Sequence, residues 1–334
     1  MRLTPLSADL KVSIAMATYN GAAYVEEQFD SLFRQTRLPD EVIVFDDASS
    51  DGTTLLLRQI AARAPFAMHV LEGTHNCGVN AAFQSALERC SGETVFFCDQ
   101  DDIWLPGKIE VCLNALNAAS GAGFVFCDAT QFSTDDRGAM PSLWELARFS
   151  ARRQSAFRRD PLAALLAGGN FVYGMASAFR RQVVQPFRFI DCDPVGMTHD
   201  TWFAMHASAL GAYGVALPEQ LVRYRRHKSQ TSVVLGAGGT DAAARLHKAQ
   251  SRATALIRAM ENVRRNIRRE ASHLGLDVTN SVGHFDRKIA FLEYREYLRR
   301  ERSLIGALRG VANLDYWRLA SGPASVLRDY RGIW

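Results

Sequence analysis

The chain has 334 residues, enough for one large domain or for one domain with an appendage. Hydrophobic residues make up 48% and charged residues 22%, an ordinary globular balance with ample material for a core, and no run of about 18 apolar residues offers a bilayer-spanning helix. The formal net charge of +4 hides an asymmetry: residues 241–334 carry 18 Lys+Arg against 10 Asp+Glu, so a mildly acidic body bears a basic tail.

The six cysteines form no C-x-x-C pair, and several lie in apolar runs, as small hydrophobes do in a reducing compartment. The N-terminal "MRLTPLSADLK" lacks the apolar stretch of a signal peptide. Both features lead us to expect a cytoplasmic protein, with a peripheral place on the inner face of the cytoplasmic membrane left open.

In chain order, "VSIAMA" (12–17) predicts a strand that stops at the turn-rich "TYNG". Val25, Phe29, Leu32 and Phe33 then fall on one face of an amphipathic helix. "EVIVFDD" (41–47) predicts a second strand, and "SSDGTT" an N-cap before a helix holding Leu55, Leu56 and Ile60. Strands follow at 67–72 and 94–99, separated by the helix of Phe83, Ala86 and Leu87, and a fifth at 123–132. Short apolar strands alternating with helices predict an α/β fold with a mostly parallel sheet covered on both faces. Polar residues gather at the strand ends: Thr18, Tyr19 and Asn20; Asp46 and Asp47; Asp99, Asp101 and Asp102. That is where such sheets bind ligands.

Beyond Arg152 the pattern loosens. "DPLAALLAGGN" predicts a helix ending at Gly168 and Gly169, "FVYGMASAFRR" a strand, and 198–211 a helix. Residues 213–227 suggest a hairpin-like pair of strands. After a glycine-rich linker at 236–241 the remainder reads as Arg-rich helices, giving a catalytic-type domain at 10–235 and a basic helical extension at 242–334.

"FFCDQDDIW" (96–104) puts three carboxylates in four positions at the end of a buried strand. Unpaired burial would cost several kcal/mol per ion, so positive charge or solvent must meet them. Asp99 and Asp101 can converge on one hard divalent cation with oxygen ligands, and Asp102 is placed to cap a helix begun near Pro106.

The ordered set "VSIAMATYNG", "DEVIVFDDASSDGT", "NCGVNAAFQSAL", "FFCDQDDIWLPGKIE", "THDTW" and "YRRHKSQTS" resembles the glycosyltransferase family 2 enzymes with a GT-A fold. Within them it is similar to bacterial rhamnosyltransferase-like members that build surface polysaccharides such as O-antigen, over about residues 10–232. The resemblance implies an inverting enzyme that uses Mn2+ or Mg2+. It implies a nucleotide-diphosphate sugar donor (dTDP- or UDP-linked, rhamnose leading) and a glycan or lipid-linked acceptor. By the same resemblance Thr18, Tyr19, Asn20 and Asp47 line the nucleoside pocket, and Asn76 and Gly78 close over the nucleotide. Asp99 faces the ribose, Asp101 binds the metal, His227 adds a metal ligand, and Asp200 is the catalytic base.

Bland readings stand beside these. Asp200 can equally cap a helix beginning at Thr201, and His227 can be an ordinary surface or core imidazole. Arg223, Arg225 and Arg226 suit a phosphate or a solvated strand face, His199 is a spacing neighbour, and Trp202 belongs to the core. The basic amphipathic tail suits an anionic membrane surface, a helical cap or a homodimer interface, and nothing else supports nucleic acid. The competing classes are a sugar nucleotidyltransferase, whose Gly-rich phosphate loop "ATYNGAAY" does not match, and a non-catalytic sugar-nucleotide-binding descendant.

Overall fold

The computed structural model describes residues 3, 10–133, 139–186, 197–227, 230, 242–319 and 323–330. The predicted linker at 236–241 and Cys192 lie outside the described residues.

The first half alternates as expected: β1 (Val12–Thr18), α1 (Val25–Phe33), β2 (Glu41–Asp46), α2 (Thr53–Ala61), β3 (Ala67–Glu72), α3 (Val79–Leu87) and β4 (Thr94–Asp99). Then come β5 (Ile103–Trp104), α4 (Lys108–Ala118), β6 (Ala122–Ser133), α5 (Leu143–Leu146), α6 (Ala151–Arg159) and α7 (Pro161–Leu166). β7 (Ser177–Arg180), α8 (Arg181–Val184), α9 (His199–Ala209) and β8 (Tyr213–Arg226) complete the sheet region. The C-terminal part is helical: α10 (Ala242–Leu274), α11 (Thr279–Glu301), α12 (Leu304–Ala312), α13 (Leu314–Leu319) and α14 (Pro323–Tyr330).

One eight-stranded sheet runs in the order β3-β2-β1-β4-β7-β6-β8-β5. Its first four strands are parallel, β7 is antiparallel to both β4 and β6, and β6 and β8 are parallel. Alternate residues of the central strands feed opposite cores. Ala15, Ile43, Val95 and Phe97 face one layer, and Ile14, Met16, Val42, Val44, Phe96 and Cys98 face the other. This burial of both faces explains why these strands are apolar throughout rather than alternating.

Three expectations need correction. Residues 213–226 form one strand, not a hairpin: β8 keeps β6 as its partner throughout, and the register jumps from Cys127↔Leu217 to Asp128↔Gln220. Pro218 and Glu219 therefore bulge out of the ladder, as a proline with no N–H to donate favours. The stretch 171–181 is mostly not strand; a 3-10 turn at Gly174–Ala176 precedes the four-residue β7. The Asp102 cap is also overturned, because α4 begins at Lys108 behind Gly107 and the short β5 intervenes, antiparallel to β8 through Ile103↔Arg223.

α10 and α11 add Val263, Ile267, Phe285 and Ile289 to the first core. A smaller cluster of Phe291, Leu298, Tyr316 and Val326 joins α11 to α13 and α14. Part of the arginine run turns inward there. Asp329 is fully buried and receives Arg295 Nε at 2.7 Å, Arg299 Nε at 2.8 Å and the Tyr316 hydroxyl at 3.1 Å. Among the described residues no helix is long and apolar enough to cross a membrane.

Candidate active site

Register brings the polar strand ends together, since Thr18 lies opposite Asp46 and Ala17 opposite Asp99. The adjacent acids of β2 then divide their work. Buried Asp46 accepts hydrogen bonds from the Thr18 hydroxyl at 2.8 Å, the Ser49 N–H at 2.8 Å and the Ser49 hydroxyl at 2.7 Å. Asp47 accepts from the N–H groups of Cys77 at 2.8 Å and Gly78 at 2.9 Å, so it ties β2 to the start of α3. Gly78 holds φ +87°, in the left-handed region that favours glycine, and Asn76 is exposed beside it. Asp47 Oδ1 also accepts from the Cys77 thiol at 3.0 Å, so it is Oδ2 that keeps a second lone pair for a base N–H.

Asn20 is also left-handed, with φ +47°, and its side-chain oxygen accepts from the Ser50 N–H at 2.9 Å. Tyr19 is 47% exposed, and its backbone exchanges two hydrogen bonds with the Gln100 amide, at 2.9 and 3.0 Å. A Cβ on Gly21 would meet Gln100 Oε1 at 2.1 Å, so a larger residue there would displace that amide from its two bonds to Tyr19. No pattern in the sequence singled out Gln100.

The acid cluster after β4 receives its positive charge from β8. The Arg225 N–H donates to Asp102 Oδ1 at 2.9 Å, its Nε donates to the Asp101 carbonyl at 2.7 Å, and its guanidinium pairs with Glu27. Arg225 is thus a buried strut of this turn rather than a free phosphate ligand. Lys108, fully buried, places Nζ 3.0 Å from the centre of the Trp104 ring, and burial brings its pKa down to about 8. Burial, then the charges of Asp101 and Asp200, push the Asp99 carboxyl up to about 8. Burial likewise raises Asp102 well above the usual carboxylate range.

Asp101 points to His227, whose Nε2 lies 2.7 Å from Asp101 Oδ2 and whose ring packs 4.4 Å from that of Tyr24. The two side chains hydrogen-bond to each other, and a carboxylate and an imidazole in contact beside mutually repelling acids are a donor set that suits a divalent cation. Among the described residues no group of three or more His, Cys, Asp or Glu side chains forms a complete cage.

Asp200 lies in the first turn of α9, inside the helix, while Thr198 is the N-cap residue. The capping role considered for Asp200 is therefore not the one it has. Its Oδ2 accepts from the Gly174 N–H at 2.9 Å, and its Oδ1 from the Thr198 hydroxyl at 2.6 Å and the Thr201 N–H at 2.5 Å. Asn80 of α3 fixes this helix start: its Oδ1 accepts from the His199 N–H at 3.0 Å, and its Nδ2 donates to the Met197 carbonyl at 3.0 Å. His199 is a core residue, 3.9 Å from the Phe83 ring and held near pKa 4 by burial, hence neutral. Trp202 is fully buried, as expected.

Residues 13–187 match the model of the family described as Glycosyl transferase family 2. An uncharacterized protein of Mycobacterium tuberculosis is 29% identical over 218 residues, which cover 65% of this chain and 59% of that protein. The chain thus spans less than two thirds of that relative's length. The dTDP-rhamnosyl transferase RfbG of Shigella flexneri is 28% identical over 131 residues, 38% of this chain and 43% of RfbG. Among solved structures, S. aureus TarS 1-349 in complex with UDP-GlcNAc superposes with a TM-score of 0.55 at 15% identity, covering 97% of this chain and 93% of TarS.

Proposed function

The chain belongs to glycosyl transferase family 2 and has the GT-A fold, and from that premise we propose that it transfers a sugar, with inversion, from a nucleoside diphosphate donor to a glycan or lipid-linked acceptor. The observation that carries this reading is the meeting of two acid sets from distant segments. Asp101 and His227 meet just beyond the ends of β4 and β8, and Asp200 stands near enough to Asp99 for its charge to act on that carboxyl.

In the proposed reaction the nucleoside lies over the ends of β1 and β2, against Tyr19, Asn20 and Asp47. Thr18 acts one step removed, by fixing Asp46. Asn76 and Gly78 form the adjoining wall, and Asp99 faces the ribose. Asp101 and His227 would hold Mn2+ or Mg2+, which when bound offsets charge on the departing diphosphate. The Asp200 carboxylate removes the proton of the acceptor hydroxyl as that oxygen attacks the anomeric carbon. The bond from that carbon to the diphosphate oxygen breaks, its electron pair leaves with the diphosphate, and the single displacement inverts the centre. A dTDP-linked donor carrying rhamnose is the leading choice, supported by the likeness to RfbG, and surface polysaccharide is the proposed product.

The test is a screen of purified protein against dTDP- and UDP-sugars with Mn2+ or Mg2+, scored by release of the nucleoside diphosphate. Release with one donor class, abolished by EDTA, is the expected result. Nucleotide binding without release or transfer under any metal would overturn the reading in favour of a non-catalytic binding protein.

A further inference from the structure

α12 is built inside out. Its inner face is glycine: a Cβ on Gly310 would meet Val326 Cγ1 at 3.0 Å, and one on Gly306 would meet Leu298 Cδ1 at 3.2 Å. Its outer face carries the bulk, with Leu304 63%, Ile305 65% and Leu308 65% exposed, and Val311 one turn further on. Those positions are i, i+1, i+4 and i+7, a single aliphatic stripe. The stripe is held in place firmly. Ser303 caps the helix by accepting from the Gly306 N–H at 3.1 Å, and the Tyr294 hydroxyl donates to the Gly306 carbonyl at 2.6 Å. Exposed Arg302 and Arg309 flank the stripe, and neither has an ion-pair partner among the described residues.

We propose that the outer face of α12 docks this protein on an anionic lipid surface, with Leu304, Ile305, Leu308 and Val311 entering the acyl boundary and Arg302 and Arg309 meeting headgroup phosphates. The charge pattern selects this occupant over a second copy of the chain. A two-fold interface is self-complementary, so it would bring the same arginines of both copies together beside the apolar contact, and like charges there are costly. An anionic bilayer supplies both complements at once. The helix runs along the surface and does not span it. This inference is independent of the glycosyl-transfer reading.

The experiment is sedimentation of the full chain with vesicles of phosphatidylglycerol and phosphatidylcholine, against vesicles of phosphatidylcholine alone, at low salt. The chain should bind the anionic vesicles and be released by salt. Ile305→Asp and Leu308→Asp should each weaken binding by at least roughly tenfold. Arg302→Gln and Arg309→Gln should each weaken it roughly fivefold, on anionic vesicles only. All four side chains are exposed, so melting temperatures should stay near that of the parent, which separates lost docking from lost folding. No binding to anionic vesicles, or binding indifferent to the aliphatic substitutions, overturns the proposal. So does a dimer by light scattering that Ile305→Asp converts to monomer, since that assigns the face to a second copy.

Discussion

The N–H of Gly174 donates a 2.9 Å hydrogen bond to Asp200 Oδ2, so the proposed base is latched to the turn before β7 as well as to its own helix. Both Asp200 oxygens accept, and Asn can accept with only one of them. Asp200→Asn should therefore cost about 1 kcal/mol of stability as well as the base. Transfer is expected to fall ~10²–10⁴-fold while the nucleotide dissociation constant hardly changes. Titration calorimetry with the nucleoside diphosphate, beside a transfer assay, separates the two effects; an active variant would remove Asp200 from its role.

The same latch can be disturbed without touching an acid. A Cβ on Gly174 would meet His199 Nε2 at 2.5 Å, and His199 is walled in by Phe83 and Phe97. Gly174→Ala should lower both the melting temperature and the transfer rate. Gly283→Ala provides the contrast, because that helical glycine has open space around its Cβ position. It should raise stability by about 0.5–1 kcal/mol and leave transfer alone. Equal responses in the two variants would contradict the latch.

At the proposed cation site, Asp101→Asn would replace a charged ligand by a neutral one. Transfer should drop ~10²–10³-fold with the fold intact, as measured by circular dichroism and a rate assay. His227→Ala should raise the metal concentration needed for half-maximal rate. Full turnover by the parent protein in EDTA would sink the cation assignment.

Stability should also fall with acid through two buried imidazoles of α9, His199 beside Asp200 and His206 further along the helix. Burial holds His199 near pKa 4 and His206 near 3, against an ordinary 6.5. Below pH 6.5 the unfolded chain binds protons that these folded-state imidazoles refuse. Their contribution is therefore complete above that pH and is lost as pH falls towards the folded values. Denaturant unfolding at a series of pH values should show this slope, and His206→Phe should flatten it. An unchanged slope in the variant would assign the acid sensitivity to other groups.

The sheet and its acidic edge were legible because they rest on local rules: apolar runs of strand length, and acids where those runs stop. Position within the acid clusters was not legible. Asp46 and Asp47 are neighbours of one type, yet one joins β1 to its own loop through Thr18 and Ser49 and the other bridges to α3. Only the pairing of strands decides which is which. Arg225, which answers the charge of the 99–102 turn, lies more than a hundred residues away in a strand whose arginines look interchangeable. The single-strand course of β8 was missed because Pro218 resembles a turn signal, and only a partner strand continuing alongside tells a bulge from a hairpin.

β8 delivers Arg225 to a turn 123 residues upstream and His227 to a carboxylate 126 residues upstream. On the ribosome, β1, β2 and β4 can pair as soon as β4 has emerged, but the acid turn stays without Arg225 and His227 until β8 arrives. Contacts so distant in sequence form late and slowly. A nascent chain paused between α4 and β8 would carry the proposed nucleoside pocket without Arg225 and His227. Competence then comes in one step, when the strand that closes the sheet also brings in the arginine and the histidine.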